Sequence, residues 1–247
     1  MSWQENAKKV CRILGSPSLV AKIFLWRPFS LASHDLVLGL IERGIRPRLL
    51  IDVGSNEGQF ARASRQMFGL DLFIAGFEPL SIAFDRLRAN FRSDGRARFL
   101  NVAIGDRAGS ADINVNAYSQ SSSLMSLSER HLSAFPGARV VGVEKVEVLR
   151  LDEAVAGVEW EHPALLKIDV QGYELKVLDG AEATLSRVDY VLVETGVVQM
   201  YVDEPAFDAV DVRLQAAGFE FVAPLATLRQ AGTETALQVD ALYRRKR

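Results

Sequence analysis

The sequence predicts an α/β fold built on a mostly parallel β-sheet, and three observations support this prediction. Short apolar runs typical of buried parallel strands recur along the chain. They lie at residues 49–53, 72–77, 98–103, 164–170 and 188–194. Segments with helical periodicity follow most of them, which indicates βαβ units with right-handed crossovers. The 247 residues, 49% hydrophobic and 24% charged, suit one domain with a full core. Runs at residues 219–223 and 239–244 complete the sheet, with one antiparallel edge strand expected.

Residues 1–46 precede the first strand, and we expect them to form a helical appendage to a main domain at residues 47–247. Apolar residues in this segment have the spacing of three short helices. Ser33 or Asp35 is placed to cap the third helix, which should end at Gly44. Its aromatic residues leave two interpretations open. The helices either cover an edge of the main domain or form a lid or homodimer contact.

The alternation of strands and helices is interrupted between the third and fourth strands of the sheet. Residues 109–116 and 140–149 alternate apolar and polar side chains, as half-exposed strands do. The polar segment between them, residues 117–137, is longer than most loops without secondary structure, and such loops are often functional. We therefore predict a hairpin-like insertion whose loop reaches over the functional site.

Composition argues against several classes of function. The net charge of −2 gives no general basic field that would attract nucleic acid or an anionic membrane. The single cysteine, Cys11, rules out an internal disulfide framework and a multi-cysteine zinc site. No apolar run approaches the ~20 residues of a membrane span. We therefore expect a cytoplasmic protein with no membrane span and no nucleic-acid partner.

A strand–loop–helix segment after residue 48 has the features of a nucleotide-binding cradle. An apolar run ends in Asp52, and Gly54 and Gly58 follow with polar residues between them. Glycine permits close approach of the backbone to a ligand, and N–H groups at the start of the next helix point towards the turn. The loop lacks both the third glycine of the dinucleotide fingerprint and the Gly-Lys-Ser/Thr of a P-loop. Glu78, after the second strand, can accept both ribose hydroxyls, which indicates an adenosine-like ligand without a pyrophosphate.

Four segments of the chain share a characteristic order and spacing. They are Ile51-Asp-Val-Gly-Ser-Asn-Glu-Gly58, Gly76-Phe-Glu-Pro79, Asn101-Val-Ala103 and Leu166-Lys-Ile-Asp-Val-Gln-Gly-Tyr-Glu174. Together they resemble the FkbM family of S-adenosylmethionine-dependent methyltransferases. The resemblance implies a seven-stranded Rossmann-like class I methyltransferase fold, S-adenosyl-L-methionine as cofactor, and methyl transfer to a hydroxyl oxygen. The acceptors that it implies are small molecules, sugars or glycans, and secondary metabolites.

The resemblance also implies cofactor contacts at the ends of the first four strands of the sheet. The loop after the first strand is expected to face the methionine part, the end of the second strand the ribose, and the end of the third the adenine. The expected contacts are Asp52, Gly54, Ser55, Asn56, Gly58, Glu78, Pro79, Asn101, Val102, Ala103, Asp169 and Gln171. Three alternatives stay open: Gly58 for close helix–strand packing, Glu78 as an acid at a helix N-terminus, and residues 101–103 as a plain strand end.

Transfer to a hydroxyl group is assisted by a base that removes the proton, by ~10²–10⁴-fold. Asp169 is the first candidate, followed by Lys167 and the loop residue His131, since an unperturbed histidine pKa near 6.5 suits a base. Glu194, at the end of the fifth strand, is a further candidate. Lys167 and Asp169 lie two apart on one face of a strand, and the structural alternative is that Lys167 pairs with Asp169 or with Glu174. Asp169 and Glu194 can also converge on Mg²⁺, but the spacing does not require a metal, and none is expected.

A second class of function stays open. A non-catalytic nucleotide-binding or scaffold protein of this fold would keep Glu78 but would not need Lys167 and Asp169. A dehydrogenase is disfavoured by the missing third glycine, and a nucleic-acid methyltransferase by the net charge. The sequence therefore predicts an S-adenosylmethionine-dependent methyltransferase, in particular an O-methyltransferase.

Overall fold

The computed structural model describes residue 16 and residues 27–116, 140–199, 205–230 and 232–246. The strands in these residues are β1 (Leu49–Val53), β2 (Phe73–Phe77), β3 (Ala97–Leu100), β4 (Ala103–Gly105), β5 (Gly109–Asn116), β6 (Val140–Arg150), β7 (Ala164–Ile168), β8 (Tyr190–Gly196), β9 (Phe219–Arg229) and β10 (Ala236–Arg245). The helices are α1 (Leu31–Glu42), α2 (Gln59–Phe68), α3 (Ser81–Asn90), α4 (Leu151–Ala154), α5 (Glu174–Asp179), α6 (Glu182–Leu185) and α7 (Phe207–Ala216). None of the helices in this part of the chain is long and apolar enough to cross a membrane.

Seven strands form one sheet in the order β3-β2-β1-β7-β8-β10-β9. β1 pairs in parallel with both β2 and β7, so Asp52 lies opposite Gly76 on one side and Lys167 on the other. β10 is antiparallel to both of its neighbours, β8 and β9. The predicted mostly parallel, seven-stranded Rossmann-like sheet is confirmed, with antiparallel pairing towards one edge. The strand order reverses between β1 and β7, and open α/β sheets bind ligands at the carboxyl ends of the strands that flank such a point.

Successive residues of the central strands face two hydrophobic layers. Ile51 faces one layer and Leu50 the other, because neighbouring side chains of a strand point to opposite faces. Helix α1 packs on the same layer as Leu50 through Val37 and Leu40, which are fully buried. This helix, which falls in the predicted appendage, is therefore packed into the main core. The other two helices expected before it lie outside the described residues.

The cap of α1 differs from the prediction. Ser30 is the N-cap residue, rather than Ser33 or Asp35, and its Oγ accepts a hydrogen bond from the N–H of Ser33 at 3.2 Å. Asp35 instead lies beside His34, with 3.1 Å between its Oδ1 and the Nδ1 of the ring. The helix ends before Gly44, whose φ of 72° is the left-handed conformation that often follows a helix.

The predicted third strand, residues 98–103, is divided between two sheets. β3 ends at Leu100, and β4 begins at Ala103 in a separate sheet with the order β4-β6-β5. Between them, the side-chain amide of Asn101 donates to two backbone carbonyls of the loop after β2, which anchors the turn between β3 and β4 to that loop. β5 and β6 pair antiparallel, which confirms the hairpin-like insertion. The loop predicted at residues 117–137 lies outside the described residues.

The helical segment after β7 is interrupted at Gly180, between α5 and α6. Gly180 packs directly on the backbone of Gly105, and a Cβ at residue 180 would lie 1.9 Å from the carbonyl oxygen of Gly105. This approach brings β4 against the end of α5, so close packing of the strand on the helix requires glycine here.

Candidate active site

A cavity of about 330 Å³ opens at the carboxyl ends of the parallel strands, on both sides of the point where the strand order reverses. Its walls come from β1, β2, β7 and β8 and from the beginnings of α1 and β10. Most of the residues predicted from the sequence meet here. The cofactor contacts that line it are Gly54, Ser55, Asn56, Glu78, Pro79, Val102, Ala103, Asp169 and Gln171, and the base candidates are Lys167, Asp169 and Glu194.

Three predicted cofactor contacts do not line this cavity. Asp52 is fully buried within the sheet. Gly58 packs against α3, where a Cβ would lie 2.7 Å from side-chain atoms of both Leu87 and Phe91. Asn101 is exposed and braces the loop after β2. The close-packing alternative for Gly58 is therefore the one that the structure supports.

The turn after β1 is shaped by contacts with the neighbouring strand ends. Gly54 has a φ of 82°, and the N–H groups of Gly54 and Ser55 both donate to the carbonyl of Phe77 at 3.0 Å. A Cβ at residue 54 would lie 1.9 Å from the carbonyl oxygen of Asp169. The close approach that glycine permits here is thus to the backbone after β7, and a side chain would push the ends of β1 and β7 apart.

Glu78 follows β2, and backbone groups hold both of its carboxylate oxygens. Oε2 accepts a hydrogen bond from the N–H of Asn56 at 2.8 Å, and Oε1 accepts one from the N–H of Leu80 at 3.0 Å. Burial raises the pKa of Glu78 to about 7, although the two N–H groups favour the ionised form. The carboxylate lines the cavity in a fixed orientation, as a ligand for two neighbouring hydroxyl groups requires.

Lys167 lies between two carboxylates. Its Nζ is 3.4 Å from Oδ1 of Asp52 and 3.2 Å from Oδ2 of Asp169, and it lies 5.4 Å from the centre of the Phe60 ring. Burial favours the neutral amine, but the two carboxylates outweigh it and raise the pKa of Lys167 above its ordinary value. The side chain therefore stays an ammonium ion, which argues against Lys167 as the base and supports the pairing alternative.

Gln171 connects the ends of β7 and β8. Its Nε2 donates to Oδ1 of Asp169 at 2.8 Å and to Oε2 of Glu194 at 2.5 Å. The residue has a φ of 57°, in the left-handed region that side chains rarely adopt. Residues with such backbone conformations cluster at functional sites, where the surrounding contacts hold them in place. The amide of Gln171 therefore fixes the two carboxylates relative to each other.

Two residues of β10, Gln238 and Asp240, complete the acidic end of the cavity. Asp240 lies directly opposite Glu194 in the antiparallel pairing of β8 and β10. Burial, reinforced by the charge of Asp169, raises the pKa of Asp240 to about 7. Burial also raises the pKa of Glu194 well above its usual range, and the carboxylates of Asp169 and Asp240 add to this. Carboxyl groups at this end therefore increase one another's proton affinity.

Six polar residues that line the cavity were not among the predictions. They are Ser30, Ser33, Gln59, Tyr173, Gln238 and Asp240. The sequence does mark Asp240, because burying an acid within the apolar run 239–244 costs free energy unless the acid is paired or functional. The two serines had none, since they fall in a segment expected to be an appendage.

His131, the remaining base candidate, lies outside the described residues. Among the residues that the structure describes, no group of three or more His, Cys, Asp or Glu side chains is arranged to hold a metal ion. The sequence allows a Mg²⁺ ion between Asp169 and Glu194 without requiring one. In the structure, the amide of Gln171 donates to both carboxylates. The two acids are thus connected by a hydrogen-bond donor.

The chain is similar to known proteins. Residues 52–221 match the model of the methyltransferase FkbM domain. Over 179 residues the chain is 31% identical to 2-O-methyltransferase NoeI of Sinorhizobium fredii, a match that covers 70% of this chain and 72% of the relative. It is also 31% identical over 172 residues to hexuronic acid methyltransferase AglP of Haloferax volcanii. This match covers 69% of this chain and 65% of the relative, so the chain spans slightly less than two thirds of the length of AglP. The crystal structure of methyltransferase FkbM from Methylobacillus flagellatus matches with a TM-score of 0.47 and 13% identity, covering 79% of this chain but only 42% of that protein.

Proposed function

The chain belongs to the FkbM methyltransferase family and uses S-adenosylmethionine as its cofactor, and on this premise we propose that it methylates a hydroxyl group of a sugar. The observation that carries the proposal is one cavity with two different ends. A carboxylate oriented for a ribose lies at one end, and carboxyl groups linked by an amide lie at the other. Of the two relatives, one is named for methylation at a 2-O position and the other for methylation of a hexuronic acid.

The donor end of the cavity fits the adenosine part of S-adenosylmethionine. The backbone N–H groups that hold Glu78 orient its carboxylate before a ligand binds, which supports its assignment to the ribose hydroxyls. Val102 and Ala103 line the adjoining wall and are apolar, as a flat heterocycle requires. When bound, the cofactor supplies an electrophilic methyl group on a positively charged sulfur.

The acceptor end provides groups that hold a hydroxyl and take its proton. Asp169 accepts hydrogen bonds from Lys167 and Gln171, and these contacts fix its orientation. Glu194 lines the cavity, and burial raises its pKa, so its carboxylate has a higher affinity for a hydroxyl proton than an ordinary glutamate. We therefore assign proton removal to Glu194 and orientation of the hydroxyl to Asp169, which reverses the order that the sequence favours. Lys167 keeps its proton and holds Asp169 in place.

These residues lower the reaction barrier by positioning the acceptor hydroxyl and by removing its proton, and positioning is the larger contribution. A fixed acceptor hydroxyl in a closed pocket can contribute up to about 7–11 kcal/mol to lowering the barrier. Removal of the proton by Glu194 contributes ~10²–10⁴-fold in rate, or about 3–5 kcal/mol. A variant without the base should therefore retain measurable activity.

An assay of the purified protein tests the proposed function. It uses S-adenosylmethionine with a labelled methyl group and a panel of 4-nitrophenyl glycosides: neutral hexosides, 6-deoxyhexosides and hexuronides. We expect a labelled methyl ether on a ring hydroxyl, located by mass spectrometry and NMR. Glu194→Gln should lower kcat by ~10²-fold while the affinity for S-adenosylmethionine, measured by calorimetry, stays within about threefold. If no glycoside is methylated, or if the label reaches only protein or nucleic acid, the proposed function is wrong.

Three expectations about partners and location stay predictions. They are a homodimer contact through the N-terminal helices, the absence of a nucleic-acid partner, and a cytoplasmic location. Light scattering after size-exclusion chromatography tests the first, and a nucleic-acid binding assay at low salt tests the second.

A further inference from the structure

We propose that Asp240 selects acceptors whose sugar ring is uncharged, by accepting a hydrogen bond from a sugar hydroxyl and repelling the carboxylate of a uronic acid. This inference rests on the proposed function and names the substrate class of the same site. It concerns a residue of β10 to which the sequence analysis assigned no role. Three observations support it: the position of Asp240, the lack of a protein partner for its carboxylate, and the charges around it.

The position of Asp240 assigns it to the acceptor. Four strand intervals separate β2, which carries the ribose ligand Glu78, from β10, in the order β2-β1-β7-β8-β10. At about 4.8 Å per interval the two strands lie about 19 Å apart. Only three single bonds separate the ribose ring of the donor from its transferable methyl carbon. The methionine part is expected to face the turn after β1, so the acceptor is the molecule that reaches Asp240.

The polar groups beside the acceptor end lack sufficient protein partners. Asp240 lines the cavity, and its carboxylate accepts no hydrogen bond from the described residues. Gln238, next to it on the strand, is 9% exposed, and its one side-chain hydrogen bond to a described residue is a long 3.5 Å contact with Glu194. Gln238 is buried, and buried amides seldom have so few hydrogen bonds, whereas the half-buried carboxylate of Asp240 faces the open cavity. A ligand in the cavity can complete the hydrogen bonds of both side chains. A sugar hydroxyl both donates and accepts, so it can donate to Asp240 and accept from the amide of Gln238.

The charges at the site disfavour an anionic acceptor. Among the described residues that line the cavity there are four carboxylates and one ammonium group. The ammonium group, on Lys167, already lies between Asp52 and Asp169. Above about pH 7, where Asp240 is ionised, a carboxylate on the sugar would meet its negative charge with no uncommitted cation from the described wall. A neutral sugar meets only hydrogen-bond acceptors and amides.

Matched acceptors that differ by one group test this inference. 4-Nitrophenyl β-D-glucopyranoside and the corresponding glucuronide differ only in the carboxylate at C6, and the galactose pair repeats the comparison. At pH 8, where Asp240 is ionised, the neutral member of each pair should have at least a tenfold higher kcat/KM in the unaltered protein and bind more tightly in calorimetry. Asp240→Asn keeps the size of the side chain and removes its charge. It should reduce the preference to less than about threefold, mainly by lowering KM and Kd for the glucuronide.

Controls separate this effect from a general change in charge or folding. Glu161→Gln removes a carboxylate from the surface, where it pairs with Arg48 and Arg96, and should leave the preference unchanged. Asp240→Asn should bind S-adenosylmethionine within about threefold of the unaltered protein, which shows that the site is folded. The inference is wrong if the unaltered protein uses glucuronides as well as glucosides, or if Asp240→Asn keeps the full preference. Methylation of neither member of any pair rejects the proposed function itself, so the two failures are distinct.

Discussion

The two ends of the cavity are held in different ways. At the donor end, both oxygens of Glu78 accept hydrogen bonds from backbone N–H groups. At the acceptor end, Asp169 and Glu194 are connected by the side chain of Gln171, and Asp240 receives no hydrogen bond from the described residues. Backbone contacts follow from the strand–turn–helix geometry, whereas a single substitution changes a side-chain contact. The donor end therefore suits a constant cofactor, and the acceptor end suits an acceptor that can change with few mutations.

The two ends meet at Gly54, and Gly54→Ala should have the largest effect because it disturbs both. A Cβ there would lie 1.9 Å from the carbonyl oxygen of Asp169, and the φ of 82° is itself unfavourable for alanine. We expect S-adenosylmethionine binding and turnover to be lost together, with the free energy of unfolding lowered by more than ~3 kcal/mol. Calorimetry, the glycoside assay and urea denaturation measure the three quantities.

Gly44→Ala separates the two causes of this loss. Gly44 has a similar φ of 72°, but nothing lies within 4 Å of a Cβ built there. This variant should lose only the ~1–2 kcal/mol that a left-handed backbone costs an alanine, and it should bind the cofactor normally. Equal losses in the two variants would mean that contact with Asp169 is not what requires glycine at residue 54.

Glu78→Gln tests the donor end alone. One carboxylate oxygen becomes an NH₂ group, so a donor then faces a backbone N–H that was satisfied by an acceptor. Hydrogen bonds to a charged group are worth about 1.5–3 kcal/mol, so affinity for S-adenosylmethionine should fall by about 10²-fold in calorimetry. The Kd of a glycoside acceptor should change by less than about threefold. A matching loss of acceptor affinity would show that the two ends are not independent.

The same contrast explains which parts of the site could be predicted from the sequence. The family, the cofactor and the sheet were predictable because the residues of the donor end lie in short contiguous motifs. Backbone N–H groups of these same motifs orient the side chain of Glu78. Asp240 and Glu194 meet only through the pairing of β8 and β10, and the register of two distant segments is not visible in their spacing. Gly58, by contrast, was predicted to contact the cofactor but does not line the cavity. Ligand approach and helix packing both favour glycine, and here the motif position serves the packing of α2 on α3.

The fold shows the same limit at residues 98–103. Apolar residues in this run predict one strand, and its first half does pair with β2. The chain then leaves the sheet at Asn101, whose side chain donates hydrogen bonds to the loop after β2. Those acceptors are about 20 residues earlier in the chain. A contact between loops of this kind has no periodicity, so no pattern within the run could have revealed it.

Glu78 should also give the donor end a dependence on pH. Its pKa of about 7 in the free protein results from burial, and ribose hydroxyls that donate to it favour the ionised form. Cofactor binding should therefore release a proton, and affinity for S-adenosylmethionine should rise about tenfold between pH 6 and pH 8. Calorimetry in buffers with different ionisation enthalpies measures the released proton. A flat affinity over this range, or the same slope in Glu78→Gln, would contradict the assignment.

The stability of the free protein should change with pH in the opposite direction. The folded-state pKa of Glu78 is raised from 4.5 to about 7, so its contribution to stability is complete below about pH 4.5 and is lost as the pH rises to about 7. Asp240, with a pKa raised to about 7, acts in the same direction. The free energy of unfolding, from urea denaturation, should therefore fall between pH 5 and pH 8. Saturating S-adenosylmethionine should reduce this fall, because it favours the ionised form of Glu78.

Gln171→Asn tests the acceptor end alone and should have the smallest effect. Asparagine tolerates the φ of 57° and keeps an amide, but it is one methylene shorter and cannot reach both Asp169 and Glu194. The strands still hold the two carboxylates near their places, while their relative orientation is lost. The variant loses about one hydrogen bond, so kcat should fall about five- to tenfold, with unchanged affinity for S-adenosylmethionine. Gln171→Gly, which relaxes the backbone and removes the amide, should lower kcat at least as much, and full activity in that variant would show that the connection between the two acids has no part in catalysis.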